Sequence, residues 1–77
     1  MNTDTYALIE REDGFGLRIE SAAEDTVEFP CISYSRDLAC GLITRMRKAQ
    51  PEPVHYGDIV RDFITEQYLS LLALNGL

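Results

Sequence analysis

Few side chains in this sequence are of types that do chemistry. Cys31 and His55 are the obvious nucleophile and base, but such a pair is defined by approach in space, and no local spacing joins these two. Cys31 follows an alternating apolar stretch and reads as a small packed side chain. Cys40 falls on the polar flank of a helical pattern, with Arg36 and Arg47 at helical spacing from it. Reactivity there would require a thiol pKa depressed by that basic setting. His55, Asp58 and Asp62 stand three and four residues apart, which aligns three possible ligands along one helix edge. A metal site needs more than that, and no second cluster supplies it. The plainer reading puts His55 near a helix cap, Asp58 in the first turn and Asp62 in solvent. No catalytic, cofactor-binding or metal residue is therefore assigned.

Other suggestive runs have equally plain readings. Gly14-Phe15-Gly16 looks like a fragment of a phosphate loop, but it precedes a strand pattern, whereas phosphate loops open helices. Glu10, Glu12 and Asp13 crowd a hairpin tip and read as a solvated turn. Arg45, Arg47 and Lys48 sit where a helix ends, and cations there compensate its dipole.

Composition narrows the classes further. The chain has 77 residues, 45% of them hydrophobic, which suits one small globular domain spanning 1–77. Thirteen acidic against seven basic residues give a formal charge of −6, which repels a phosphate backbone and argues against nucleic acid as partner. No apolar run approaches the ~20 residues that cross a bilayer. The opening residues show neither the basic nor the apolar region of a secretory signal, so the expected location is cytoplasmic. In that compartment Cys31 and Cys40 are expected as reduced thiols; a bridge between them stays open, because it depends on geometry.

Periodicity supplies the elements. The longest helical pattern runs over residues 54–76, stopped by Asn75-Gly76. Its residues Ile59, Val60, Phe63, Ile64, Leu71 and Leu74 share one arc of the helix, expected to face a core. Gln67 lies within that arc and would need a hydrogen-bond partner. Tyr68, Leu69 and Leu72 fall outside it, so the first half is amphipathic and the second is apolar nearly all round. Upstream, residues 5–11 and 16–21 flank Glu12-Asp13-Gly14, a hairpin signal. A two-residue Asp13-Gly14 turn pairs Leu8 with Ile19. A three-residue turn with Gly14 left-handed pairs Ile9 with Leu17 and Ala7 with Ile19, and is preferred because it gathers five apolar residues on one face. That register turns Tyr6 and Leu8 outward, although a one-residue slip would reverse it. Residues 22–25 read as an acidic turn and 26–29 as a third strand, with Pro30 at an edge or strand end. Ser33 or Ser35 caps a first helix, whose stripe is Leu38, Ala39, Leu42, Ile43 and Met46, and Gln50-Pro51-Glu52-Pro53 breaks it. The expected fold is α+β: a three-stranded antiparallel meander followed by two helices packed on one face, β-β-β-α-α.

The segment Pro53-Val54-His55-Tyr56-Gly57-Asp58-Ile59-Val60-Arg61-Asp62-Phe63-Ile64 resembles one found late in short uncharacterised proteins of anaerobic Gram-positive bacteria. Tyr6-Ala7-Leu8-Ile9-Glu10, Phe15-Gly16-Leu17-Arg18-Ile19, and Val27-Glu28-Phe29-Pro30 before Ile32-Ser33 are similar too, whereas Gly57 departs from the pattern. The resemblance implies a cytosolic bacterial protein and carries over no activity and no site residue. From the residues, the leading expectation is a non-enzymatic interaction or regulatory module. It would self-associate as a homodimer, or bind a protein partner, through Tyr68, Leu69, Leu72 and Leu77, with Tyr6 and Leu8 adding exposed apolar surface. The alternative is a small-molecule, metal or redox sensor using Cys31, Cys40 or His55; an enzyme ranks third, since so small a chain positions few groups.

Overall fold

The computed structural model of the protein describes residues 4–21 and 26–74. Strands β1 (Thr5–Arg11), β2 (Gly14–Glu20) and β3 (Val27–Ser33) form an antiparallel sheet in that order. Helix α1 (Arg36–Ala49) follows, then a 3₁₀ turn over Pro53–His55 and helix α2 (Tyr56–Leu74). This is the expected β-β-β-α-α order. The acidic turn at 22–25, the stop at Asn75-Gly76, Leu77 and the side chain of Leu74 lie outside the described residues.

The hairpin takes neither of the two registers expected from the sequence. Arg11 pairs with Gly14, Leu8 with Leu17 and Tyr6 with Ile19, so the turn is Glu12-Asp13. Neither turn residue has a positive φ, so the turn is not a primed hairpin type; Gly14, one residue later, takes φ +152°. That glycine answers to packing as well. A Cβ there would lie 2.8 Å from Cys31 Sγ and 3.1 Å from the Ser33 carbonyl oxygen. The shift moves Tyr6 and Leu8 onto the face of Leu17 and Ile19. Tyr6 is fully buried and Leu8 half-buried against the core, so neither is the exposed surface expected of it. Ala7 turns outward instead.

β3 also runs longer than its alternation suggests, through Pro30 to Ser33. It manages this with a bulge: Leu17 pairs with Phe29 but Phe15 with Ser33, leaving Gly16 alone opposite the intervening residues. Pro30, without an N–H, sits in that break in the ladder. Ser33 therefore ends the strand, and Ser35 caps α1, its Oγ accepting the Leu38 N–H at 3.3 Å. Gln50 closes the helix in a left-handed conformation, its N–H on the Met46 carbonyl.

One core joins the layers. Tyr6, Leu17, Ile19 and Ile32 of the sheet meet Ala39, Leu42, Ile43 and Met46 of α1 and Tyr56, Val60 and Phe63 of α2. The outer sheet face carries Arg18, paired with Glu20 and Glu28. Arg47 ties α1 to the sheet, donating Nη2 to the Tyr6 carbonyl at 2.7 Å, a role beyond dipole compensation. The molecule measures 47 × 25 × 17 Å, and a 19-residue helix at 1.5 Å per residue accounts for much of the long axis. Among the described side chains of α2, those buried as deeply as the core lie in its first half.

Candidate docking groove

The bulge and the short β3–α1 connection determine what lies beside the second half of α2. Because β3 continues past Pro30, Ile32 and Ser33 are carried inward and Tyr34 is thrust out between strand and helix. α1 then presents Leu38 and, two turns on, Arg45. Ile64, Gln67, Tyr68 and Leu71, at helical spacing, form the facing wall on α2. Between them runs an open groove of about 850 Å³.

Its polar floor is already satisfied. Ser33 Oγ donates to Gln67 Oε1 at 2.6 Å and accepts the Ser35 N–H at 2.9 Å. Gln67 Nε2 donates to the Ile32 carbonyl at 2.8 Å. These bonds supply the partner that Gln67 needed, and they pin α2 to the end of β3 where the helix leaves the core. They engage the side chains of both Ser33 and Gln67 within the chain itself. The walls are apolar and open: Tyr34 is 84% exposed, Leu38 50%, Ile64 43%, Tyr68 61% and Leu71 56%. Arg45 and Glu66 supply the charged side chains of the lining, and neither enters an ion pair or hydrogen bond among the described residues.

Of the residues expected at an interface, Tyr68 lines this groove. Leu69 is exposed and Leu72 half-buried on the flank of α2 beyond it. Ile64 and Leu71 were expected in the core and are instead exposed, because the sheet and α1 do not reach under that part of the helix. Leu38 likewise leaves the α1 stripe for the groove wall. Tyr34 escaped sequence reasoning altogether, since it stands between two periodic segments and belongs to neither.

The residues weighed for chemistry fall on different elements: Cys31 on β3, Cys40 on α1, His55 in the 3₁₀ turn, and Asp58 and Asp62 on α2. Cys31, expected as a packed side chain, is instead an exposed free thiol at the groove edge, and Cys40 is a free, half-buried thiol on α1. His55 lies exposed in the 3₁₀ turn, while Asp58 pairs with Arg61 at 3.0 Å. Among the described residues no three His, Cys, Asp or Glu side chains are placed to hold a metal ion. No helix of the described chain is long and apolar enough to cross a membrane.

A second polar cluster lies at the other end of the core. The Tyr6 and Tyr56 rings meet edge to face with centroids 6.3 Å apart, and the Tyr56 hydroxyl donates to the Asp4 carboxylate. Burial is the main cause raising both phenol pKa values; the bond to Asp4 adds to it at Tyr56, whereas the Tyr56 hydroxyl partly offsets it at Tyr6. The two hydroxyls thus influence each other, yet no bond of ordinary geometry reaches the Tyr6 oxygen among the described residues. No protein family, curated protein or solved structure matches this chain.

Proposed function

We propose that this protein is a non-enzymatic interaction module that docks an amphipathic helix against the groove beside the second half of α2. The observation that carries this is the gathering of Tyr34, Leu38, Ile64, Tyr68 and Leu71, all large, apolar and exposed, around one concave surface. Scattered exposed apolar residues are ordinary; a contiguous concave patch marks a binding surface. A helix suits it better than an added strand, because the neighbouring edge, β3, is blunted by Pro30 and its bulge. Such a role fits the cytosolic bacterial setting that the sequence resemblance implies. The alternative sensor role for Cys31, Cys40 or His55 has no convergence of ligands to support it among the described residues.

Emission of the dye anilinonaphthalene sulfonate at low micromolar protein tests the reading. Wild type should enhance it, and Leu71→Asp should abolish the enhancement with little change in melting temperature, since Leu71 is outside the core. Equal emission from the two proteins would overturn the assignment of the groove.

A further inference from the structure

We infer that the helix docked in this groove is α2 of a second copy of the chain, in a two-fold antiparallel pair; this rests on the docking role proposed above.

Charge is the first argument. A chain of net charge −6 repels its own copies over most of its surface. The groove is the exception. Arg45 and Glu66 stand at it unpaired among the described residues and balance each other, and from Ile64 onward Glu66 is the one charged residue in the described part of α2. In a two-fold interface residue i meets j and j meets i. One self-complementary arrangement then satisfies both charges twice, Arg45 of each copy against Glu66 of the other. A basic partner would leave Arg45 facing like charge, and an acidic one would do the same to Glu66.

Helix phase is the second. At 100° per residue, Ile64, Tyr68 and Leu71 line one side of α2, and Leu72 and Leu69 continue the apolar arc away from the chain's own core. Ile64, Tyr68 and Leu71 form the wall of the helix's own groove. Leu72 and Leu69 reach past it and match a facing groove whose opposite wall is Tyr34 and Leu38. A helix lying in a cleft needs both flanks apolar, and the arc from Leu71 through Ile64, Tyr68 and Leu72 to Leu69 spans about 160° of α2.

Area is the third. Tyr34, Leu38, Ile64, Tyr68, Leu69 and Leu71 are between 43% and 84% exposed. Six large apolar side chains exposed to this degree on one face supply a sizeable part of the ~800 Å² per partner in a standard interface. The polar rim supplies the difference.

The test is a mixing experiment read by sedimentation equilibrium. Arg45→Glu alone and Glu66→Arg alone each place like charges at both symmetry-related contacts. Each should raise the dimer dissociation constant about tenfold or more. In an equimolar mixture of the two variants, the mixed dimer brings opposite charges together at both contacts, and it should form at close to the wild-type constant. Both positions are exposed, so melting temperatures should hold. A mixture no more associated than either variant, or a wild type monomeric at high micromolar concentration, would overturn the second-copy assignment. Dye emission separates the two claims. A monomeric wild type whose emission is still lost in Leu71→Asp keeps the groove as a docking surface for another helix. A monomeric wild type with emission indifferent to Leu71 removes both.

Discussion

A methyl group at position 16 would meet the carbonyl oxygens of Phe29 and Pro30, closer than real Cβ atoms come. Both are backbone atoms held by the sheet, so neither can swing away. Gly16→Ala should therefore force the β2–β3 bulge open and cost about 1–3 kcal/mol, measured by urea unfolding; an unchanged midpoint would show that the bulge is pliable. Neither Gly14 nor Gly16 was readable in this sense from the sequence. Asp13-Gly14 looks like a turn, and only the approach of Cys31 and Ser33 from β3 shows what else the glycine accommodates. The observed register differs by one residue from the preferred expectation, and this places Tyr6 in the core instead of on the surface. Tyr6 and Tyr56 also carry a pH dependence. Their folded pKa values are raised, while in the unfolded chain a phenol ionises near ~10. Above about pH 10 the unfolded state thus binds fewer protons than the folded one, and stability falls as pH rises; below it both states stay protonated and the contribution is constant. Tyr6→Phe with Tyr56→Phe should lose less of its urea midpoint between about pH 9 and 11 than wild type does. An identical loss would mean that other groups set the alkaline limit.

At the scale of elements, period-two and period-3.6 patterning gave the order of strands and helices, and Val60 and Phe63 were placed correctly in the core because the first half of α2 is cleanly amphipathic. Phe63→Ala removes a ring that is 7% exposed and should cost about 3–5 kcal/mol. Small domains often have little more than ~5 kcal/mol in total, so the variant should be largely unfolded at body temperature by circular dichroism. A melting point within a few degrees of wild type would mean that the helix docks elsewhere. Gln67 marks where α2 leaves the core. Gln67→Ala strips partners from Ser33 and from the Ile32 carbonyl and should cost about 1–3 kcal/mol. Beyond Gln67 the periodicity misleads: Leu71 keeps the phase of a core residue, but phase says nothing of whether another element lies beneath. Three seven-residue strands and α1 are too short to underlie all of a 19-residue helix, and that limit shows only in three dimensions.

For the whole molecule, the consequence is an elongated chain with its core at one end of α2 and an uncovered apolar half at the other. Hydrophobic burial is worth roughly 25 cal/mol per Å², so leaving that half in water forgoes stabilisation that a second copy would restore. The fold class and the unusual composition of late α2 were legible in the sequence. The groove was not, because Tyr34, Leu38 and Ile64 come from segments that periodicity assigned to a connection or to the core. Amide hydrogen exchange at two protein concentrations addresses the claim most directly. If α2 pairs with its own copy, the amides from Tyr68 to Ala73 should exchange more slowly at high micromolar than at low micromolar concentration, while a Leu69→Glu, Leu72→Glu variant shows no such gain. Protection of that segment that does not change with concentration would contradict the account.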